Sequence, residues 1–191
     1  MIPTTVPTLT GPLVRLRAWE DGDAPLIRSV ASDPVIPVIT SVPSSGSDED
    51  IAAYFARQRQ RTVEGPGFSF AIVDVRSKQA VGNIGLWTRD YDRGRLTIGY
   101  WVAEEFRHRG HAQDALATLT KWAVTLPGVG RLQLFVEPWN EGSWRLAEAC
   151  GFMREGLLRQ WQEVGDRRRD MWVYSLIPDP DDVPRHPTAV L

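Results

Sequence analysis

LVRLRAW (13–19) alternates apolar and polar side chains with the period of two that a half-buried strand requires. EDGDAPLIRSVAS (20–32) changes period and reads as a helix whose first turn is acidic, the sign the helix dipole favours at that end. Three prolines in DPVIPVITSVPSS (33–45) exclude one continuous helix, because each lacks an N–H and clashes with the preceding turn; the segment reads as a loop. Ser47, with Asp50 three residues on, is placed to cap a helix beginning DEDIAAYFARQRQR. GFSFAIVDV (67–75), AVGNIGLW (80–87) and RLTIGYWV (95–102) are strand-like runs joined by RSKQ and TRDYDRG, which makes them a meander.

Beyond residue 102 the period lengthens. Ala112, Ala115, Leu116, Leu119, Ala123 and Leu126 recur at helical spacing and predict a helix packed by one face, ended by LPGVG. RLQLFVE (131–137) is a strand, PWNEG leads into a short helix over SWRLAEAC, and GFMREGLLRQWQEV and RRDMWVYSLI frame Gly165–Asp166 as a final strand pair. The order gives an α+β domain with a mixed, mostly antiparallel sheet of about seven strands flanked by about four helices. The crossover from 95–102 through a helix to 131–137 requires two neighbouring parallel strands. One domain over 13–177 is expected, with an N-terminal extension (1–12) and a loose proline- and aspartate-rich tail (178–191).

Composition narrows the picture. The 191 residues suffice for one domain with a real core, and the formal net charge of −2 gives no reason to expect a nucleic-acid partner. No apolar run is long enough to span a bilayer, and MIPTTVPTLTGPL lacks the basic and apolar blocks of a secretory signal. A single cysteine, Cys150, excludes an internal disulfide and fits a cytoplasmic setting. It precedes Gly-Phe at a helix end and reads as a small buried hydrophobe.

The candidate chemistry lies in EFRHRGHAQDAL (105–116), between a hydrophobic strand and a hydrophobic helix. The first N–H groups of that helix have no partner within it, and with the helix dipole they form an anion site. Gly110 removes a side chain where a phosphate would approach, Ala112 keeps the next turn low, and Arg107, Arg109 and His111 add positive charge at the rim. Neither G-x-G-x-x-G nor G-x-x-x-x-G-K-[ST] is present; R-x-x-G-x-A is, as Arg107–His108–Arg109–Gly110–His111–Ala112. This loop resembles the acyl-CoA pyrophosphate loop of the GCN5-related N-acetyltransferase (GNAT) superfamily. LVRLRAWEDGDAPLI, IGYWVAEEFRHRGHAQDAL and VEPWNEGSWRLAEACGFMREG are similar to the signatures of its branch that acetylates ribosomal-protein N-termini.

The resemblance implies a GNAT fold with a wedge between the fourth and fifth strands, 95–102 and 131–137, in which acetyl-CoA lies. Backbone groups near Trp101 and Val102 would pair with the pantetheine arm, and amides of Arg107, His108, Arg109, Gly110, His111 and Ala112 would hold the pyrophosphate. Asn140 matches an asparagine that reaches the pantetheine, and Ser143 a hydroxyl near the thioester sulfur. Where many relatives carry a tyrosine as general acid, this chain has Ala147, which leaves Ser143 or a water on it to protonate the thiolate. Glu105, Glu104 and Glu137 are the candidate bases, with no order among them. The acceptor would be a protein N-terminal α-amine or a small-molecule amine, with specificity carried by 33–46 and 88–94. A longer donor such as succinyl-CoA and a non-catalytic CoA-binding module are the alternatives, and a homodimer is a family-level expectation.

Plainer roles compete with these. Asn140 and Ser143 suit a helix cap, Glu104 and Glu105 suit solvated turn acids, and His108 and His111 suit a rim. A metal site is not expected, since the other histidine, His186, lies in the tail. Most of the eight tryptophans belong to the core, with Trp87 and Trp139 the better candidates for an acceptor pocket. Asp90 and Asp92 could draw in a cationic amine, or simply be solvated.

Overall fold

Eight strands form one sheet in the order β1-β2-β3-β4-β5-β6-β8-β7. The computed structural model describes residues 2–65 and 67–179; residues 180–191, the greater part of the expected tail, lie outside that range. The strands are β1 (Leu9–Thr10), β2 (Val14–Arg17), β3 (Gly67–Asp74), β4 (Ala80–Trp87), β5 (Arg95–Val102), β6 (Arg131–Val136), β7 (Met153–Val164) and β8 (Arg167–Leu176). Every neighbouring pair is antiparallel except β5 and β6. The helices are α1 (Ala24–Val30), α2 (Ile36–Ile39), α3 (Asp48–Glu64), α4 (His111–Ala123) and α5 (Glu141–Ala149).

Three elements depart from the expected pattern. The eighth strand is β1, a two-residue piece paired to β2 and too short to show an alternation. Within the proline-rich loop one helical turn forms as α2, because Pro37 falls in its first turn, where the missing N–H has no intrahelical acceptor to serve. The acidic start of α1 is tighter than an α-helix: Asp21–Asp23 is a 3₁₀ turn, and buried Asp23 takes a bidentate bond from Arg17 at 2.7 and 2.8 Å. Ser47 does cap α3, its hydroxyl accepting from the Asp50 amide at 3.2 Å.

Alternation along the strands divides the core in two. Phe68, Phe70, Leu96, Ile98, Leu132 and Leu134 pack on one face with Ala115, Leu116, Leu119 and Ala123 of α4. Trp19, Ala71, Val73 and Trp101 pack on the other with Ile27 of α1 and Ile51, Tyr54 and Phe55 of α3. A buried leucine or phenylalanine is worth about 1.5–3 kcal/mol in transfer from water, so both helical layers are held firmly.

The site depends on where β5 leaves β6. Their pairing covers Arg95↔Arg131, Leu96↔Leu132 and Thr97↔Gln133, while β4 follows β5 to Val102 and β8 follows β6 to Val136. The two parallel strands therefore part beyond Thr97, and Gln133 Nε2 donates to Thr97 Oγ1 at 3.1 Å at the apex. The β7–β8 hairpin is bent by an irregularity between Leu158 and Gln162, which sets the Trp161 ring on Phe135 with centroids 5.6 Å apart. At its tip, a Cβ on Gly165 would stand 3.2 Å from Val38 of α2, so hairpin and loop meet.

Candidate active site

The face covered by α4 and α5 is built largely from backbone. After β5, Glu104–Phe106 makes a 3₁₀ turn, and His108 (φ 60°) and Gly110 (φ 82°) curl the chain into α4. Among the described residues, none of the backbone N–H groups of His108 to Gln113 donates to a protein acceptor. A curled run of free amides at a helix start is an anion cradle, so these residues fit a pyrophosphate. The reason for Gly110 lies partly elsewhere than in ligand clearance: its φ is left-handed, and a Cβ would reach Leu13 Cδ1 at 3.0 Å. Asp114 ties the helix to the sheet by accepting from the amides of Leu13 and Val14 at 2.7 and 2.9 Å.

The charges expected at the rim are distributed differently. Arg107 and Arg109 are exposed. Arg107 donates through Nε to the Val102 carbonyl at 3.0 Å and pairs with Asp33 at 3.5 Å. Arg109 donates to the Glu105 carbonyl at 2.6 Å and lies over the Phe106 ring. His111 is not at the rim: it is buried, with Nε2 2.7 Å from Asp74 Oδ2 and Nδ1 3.2 Å from the Phe106 carbonyl. The carboxyl of Asp74 is lowered to about 2, chiefly by the Ser77 amide and then by His111. His111 thus fastens the loop to the β3–β4 turn. His108 is exposed, and Ala112 is half-buried against the α4-side core.

On the same face, Asn140 and Ser143 stand at the start of α5, where the Asn140 side chain accepts from the Ser143 amide at 3.1 Å. Asn140 is therefore the cap, and the Ser143 hydroxyl is left for other work. Tyr100, for which the sequence carried no signal, donates to the Ser143 carbonyl at 3.3 Å. Burial pushes its phenol up to about 12, so it keeps its proton at neutral pH. Ala147 is fully buried. Cys150 is half-buried, and burial pushes its thiol up.

A cleft of about 480 Å³ runs through the parted strands to the opposite face. Tyr100, Asn140 and Ser143 line it on the α5 side. Trp87, Trp101, Phe135, Glu137, Tyr54 and Arg61 line it on the α3 side, with Ile39–Ser41 and the Trp161 arm of the hairpin around them. Trp101 is buried and stacks on Trp19 at 6.5 Å, which fixes the floor. Glu137, at the end of β6, is 12 % exposed and 3.7 Å from Arg169. Glu104 and Glu105 are exposed on the 3₁₀ turn and are not among the lining residues. The two expected specificity segments do reach the cleft, through Ile39–Ser41 and through Arg89 and Asp90. Trp87 lines it and Trp139 does not; Trp139 is 64 % exposed. Arg61 and the hairpin gave no signal in the sequence, since one reads as a helix surface charge and the other as a solvated strand pair. Among the described residues, no cluster of three His, Cys, Asp or Glu is placed to hold a metal, and no helix is long and apolar enough to cross a membrane.

Parted parallel strands with an anion cradle on one side and an aromatic-lined cleft on the other are what an acyl-CoA-dependent acyltransferase requires. Residues 14–153 match the acetyltransferase (GNAT) domain family, and the chain belongs to it. With membership goes transfer of an acyl group from acyl-CoA to an amine. The chain is 26% identical over 170 residues to the uncharacterized N-acetyltransferase p20 of Bacillus licheniformis, covering 89% of this chain and 96% of that protein. Its fold is similar to that of Mycobacterium smegmatis RimJ in complex with CoA-disulfide (TM-score 0.77, 24% identity, 93% of this chain and 90% of that one). It is also similar to a chimera of Vibrio cholerae spermidine N-acetyltransferase SpeG with hSSAT (TM-score 0.69, 20% identity, 86% and 95%).

Proposed function

We propose that the protein is an N-acetyltransferase that moves an acetyl group from acetyl-CoA to a primary amine by direct attack in a ternary complex, as a member of the RimJ/RimL-like branch. The observation that carries this reading is the cleft between the parted strands, lined by Ser143 on its α5 side and by Glu137 on its α3 side. In it, the amides of His108 to Ala112 hold the pyrophosphate, that of Arg107 being taken instead by the Glu104 carbonyl at 3.1 Å, and the freed edges of β5 and β6 take the pantetheine, while Trp101 and Phe135 wall the acceptor side. Glu137 is the base: among the three glutamates weighed, it is the one that lines the cleft. It removes a proton from the ammonium or the attacking amine, directly or through a water. As nitrogen bonds to the thioester carbon and the C–S bond breaks, the leaving sulfur takes a proton from the Ser143 or Tyr100 hydroxyl. Tyr100 thereby supplies the phenol that Ala147 cannot. Positioning two reactants in one cleft contributes the rest.

Thiol release from acetyl-CoA with a panel of peptides and small amines tests the proposal, with succinyl-CoA run beside it. Expected is amine-dependent release, faster with acetyl-CoA, and initial-rate lines that intersect when both substrates are varied. Release independent of every amine, or faster from succinyl-CoA, would contradict it.

A further inference from the structure

The acceptor half of the cleft carries positive charge with no acid assigned to it. Trp87 lies flat on the sheet over a cross-strand glycine pair, Gly85↔Gly99: a Cβ on Gly85 would collide with its ring at 2.4 Å, and one on Gly99 would touch it at 3.6 Å. On this indole sits the guanidinium of Arg61, 5.8 Å from the ring centroid. Arg61 comes from α3, is half-buried, and donates to the Ser41 hydroxyl at 3.0 Å. Arg89 lines the same cleft, and Arg57, one turn earlier on α3, donates to the Ser41 carbonyl at 3.3 Å. Among the described residues, none of these three arginines forms an ion pair. The nearby acids are committed elsewhere: Asp90 is shared between Arg95 at 3.5 Å and Arg93 at 4.0 Å, and Glu137 faces Arg169.

A guanidinium drawn partly out of water, held by a hydroxyl and an aromatic face and repelled by two like charges, is unfavourable until an anion joins it. Burial and those neighbours both lower its pKa, in keeping with that frustration. Its site is also well placed for an acceptor. Gly99 and Trp101 are two residues apart on β5, roughly 7 Å along the strand, and Glu137 follows Phe135 by the same step on β6. Arg61 and Glu137 line the same cleft, so one acceptor can present an acid group to the first and an amine to the second. We infer that the acceptor is a primary amine bearing a carboxylate or other anionic group, received by Arg61 and Arg89 over the Trp87 ring. This rests on the acetyl-transfer reading above.

The test uses matched acceptors: ε-aminocaproate against ε-aminocaproamide, and the peptide amide Ser-Ala-Glu-Ala against Ser-Ala-Gln-Ala. For the favoured pair, kcat/KM should be higher for the carboxylate by about tenfold or more, equal to about 1.4 kcal/mol. Preference in the first pair identifies a small acceptor, and in the second a peptide N-terminus. Arg61→Gln should bring the ratio towards one, Arg61→Lys should keep part of it, and Arg89→Ala, at an exposed position, should reduce it without risk to folding. Acetylation of all four acceptors with equal kcat/KM within pairs would overturn the anion site and leave acetyl transfer standing. If no acceptor is acetylated, the transfer reading fails, and calorimetric titration of ε-aminocaproate and its amide into the CoA complex decides the site alone: tighter binding of the carboxylate, lost in Arg61→Gln, upholds it, and equal binding sinks it.

Discussion

The two sides of the cleft are made by different means. On the α4–α5 face, one continuous stretch, 108–112, curls by two left-handed residues and leaves its amides free, so an anion bound there would meet main chain. On the α3 face, the walls come from α2, α3, β4, β5, β6 and the β7–β8 hairpin, and the lining is of side chains brought together from more than a hundred residues of sequence. A site made of local backbone is demanding about conformation and indifferent to most side chains. A site made of distant side chains can be re-specified one residue at a time. That division suits an enzyme whose donor is fixed and whose acceptor varies within the family.

The largest effect is expected at Glu137. Glu137→Gln should lower kcat/KM by about 100-fold or more, the usual scale of general-base catalysis, remove or shift the acidic limb of its pH profile, and leave the Kd of CoA unchanged. Glu104→Gln and Glu105→Gln should do neither; a loss confined to one of them would move the base to the 3₁₀ turn. On the other side, Gly110→Val should raise the Kd of CoA by about tenfold or more, since a β-branched residue at φ 82° costs on the order of 1–3 kcal/mol and must displace Leu13. An unchanged Kd in a folded variant would remove the loop from the CoA site.

Smaller effects sharpen the picture where the two sides meet. Tyr100→Phe and Ser143→Ala should each preserve CoA affinity and lower kcat by a few-fold, with the double variant losing more than either; wild-type turnover in the double variant would leave the thiolate to solvent. The smallest effect concerns Asp74. Its carboxyl titrates near 2 in the fold against 3.8 ordinarily, so it stabilises fully above about pH 4 and that contribution is lost as pH falls towards 2. Asp74→Asn should narrow the difference in Tm between pH 5 and pH 3 and loosen the loop through His111. An equal difference in both proteins would show that this carboxylate does not hold the loop.

Much of the fold was legible because its periods are clean: β4 and β5 fall on the runs 80–87 and 95–102 without adjustment, and α4 begins one residue after Gly110. β1 was not, because two residues cannot alternate, nor was α2, because three prolines hide one turn. At the site, the glycine-containing loop between strand and helix was readable from its position, and its free amides fit the anion-binding role expected of it. His111 was misread as rim charge because its partner, Asp74, is 37 residues away. That Glu137 lines the cleft while Glu104 and Glu105 do not follows from the parting of β5 from β6, which no local pattern encodes. Arg61 needed more still, since its meaning depends on the Gly85–Gly99 pair that lets Trp87 lie down beneath it.

On the proposed mechanism, donor and acceptor halves meet through the parted strands. This is tested most directly by titrating a bisubstrate ligand, CoA joined from its sulfur through an acetyl unit to the amine of ε-aminocaproate, into the protein. The account predicts a Kd below that of CoA by about tenfold or more, weakened by Gly110→Val at one end and by Arg61→Gln at the other. A Kd equal to that of CoA, indifferent to Arg61, would contradict it.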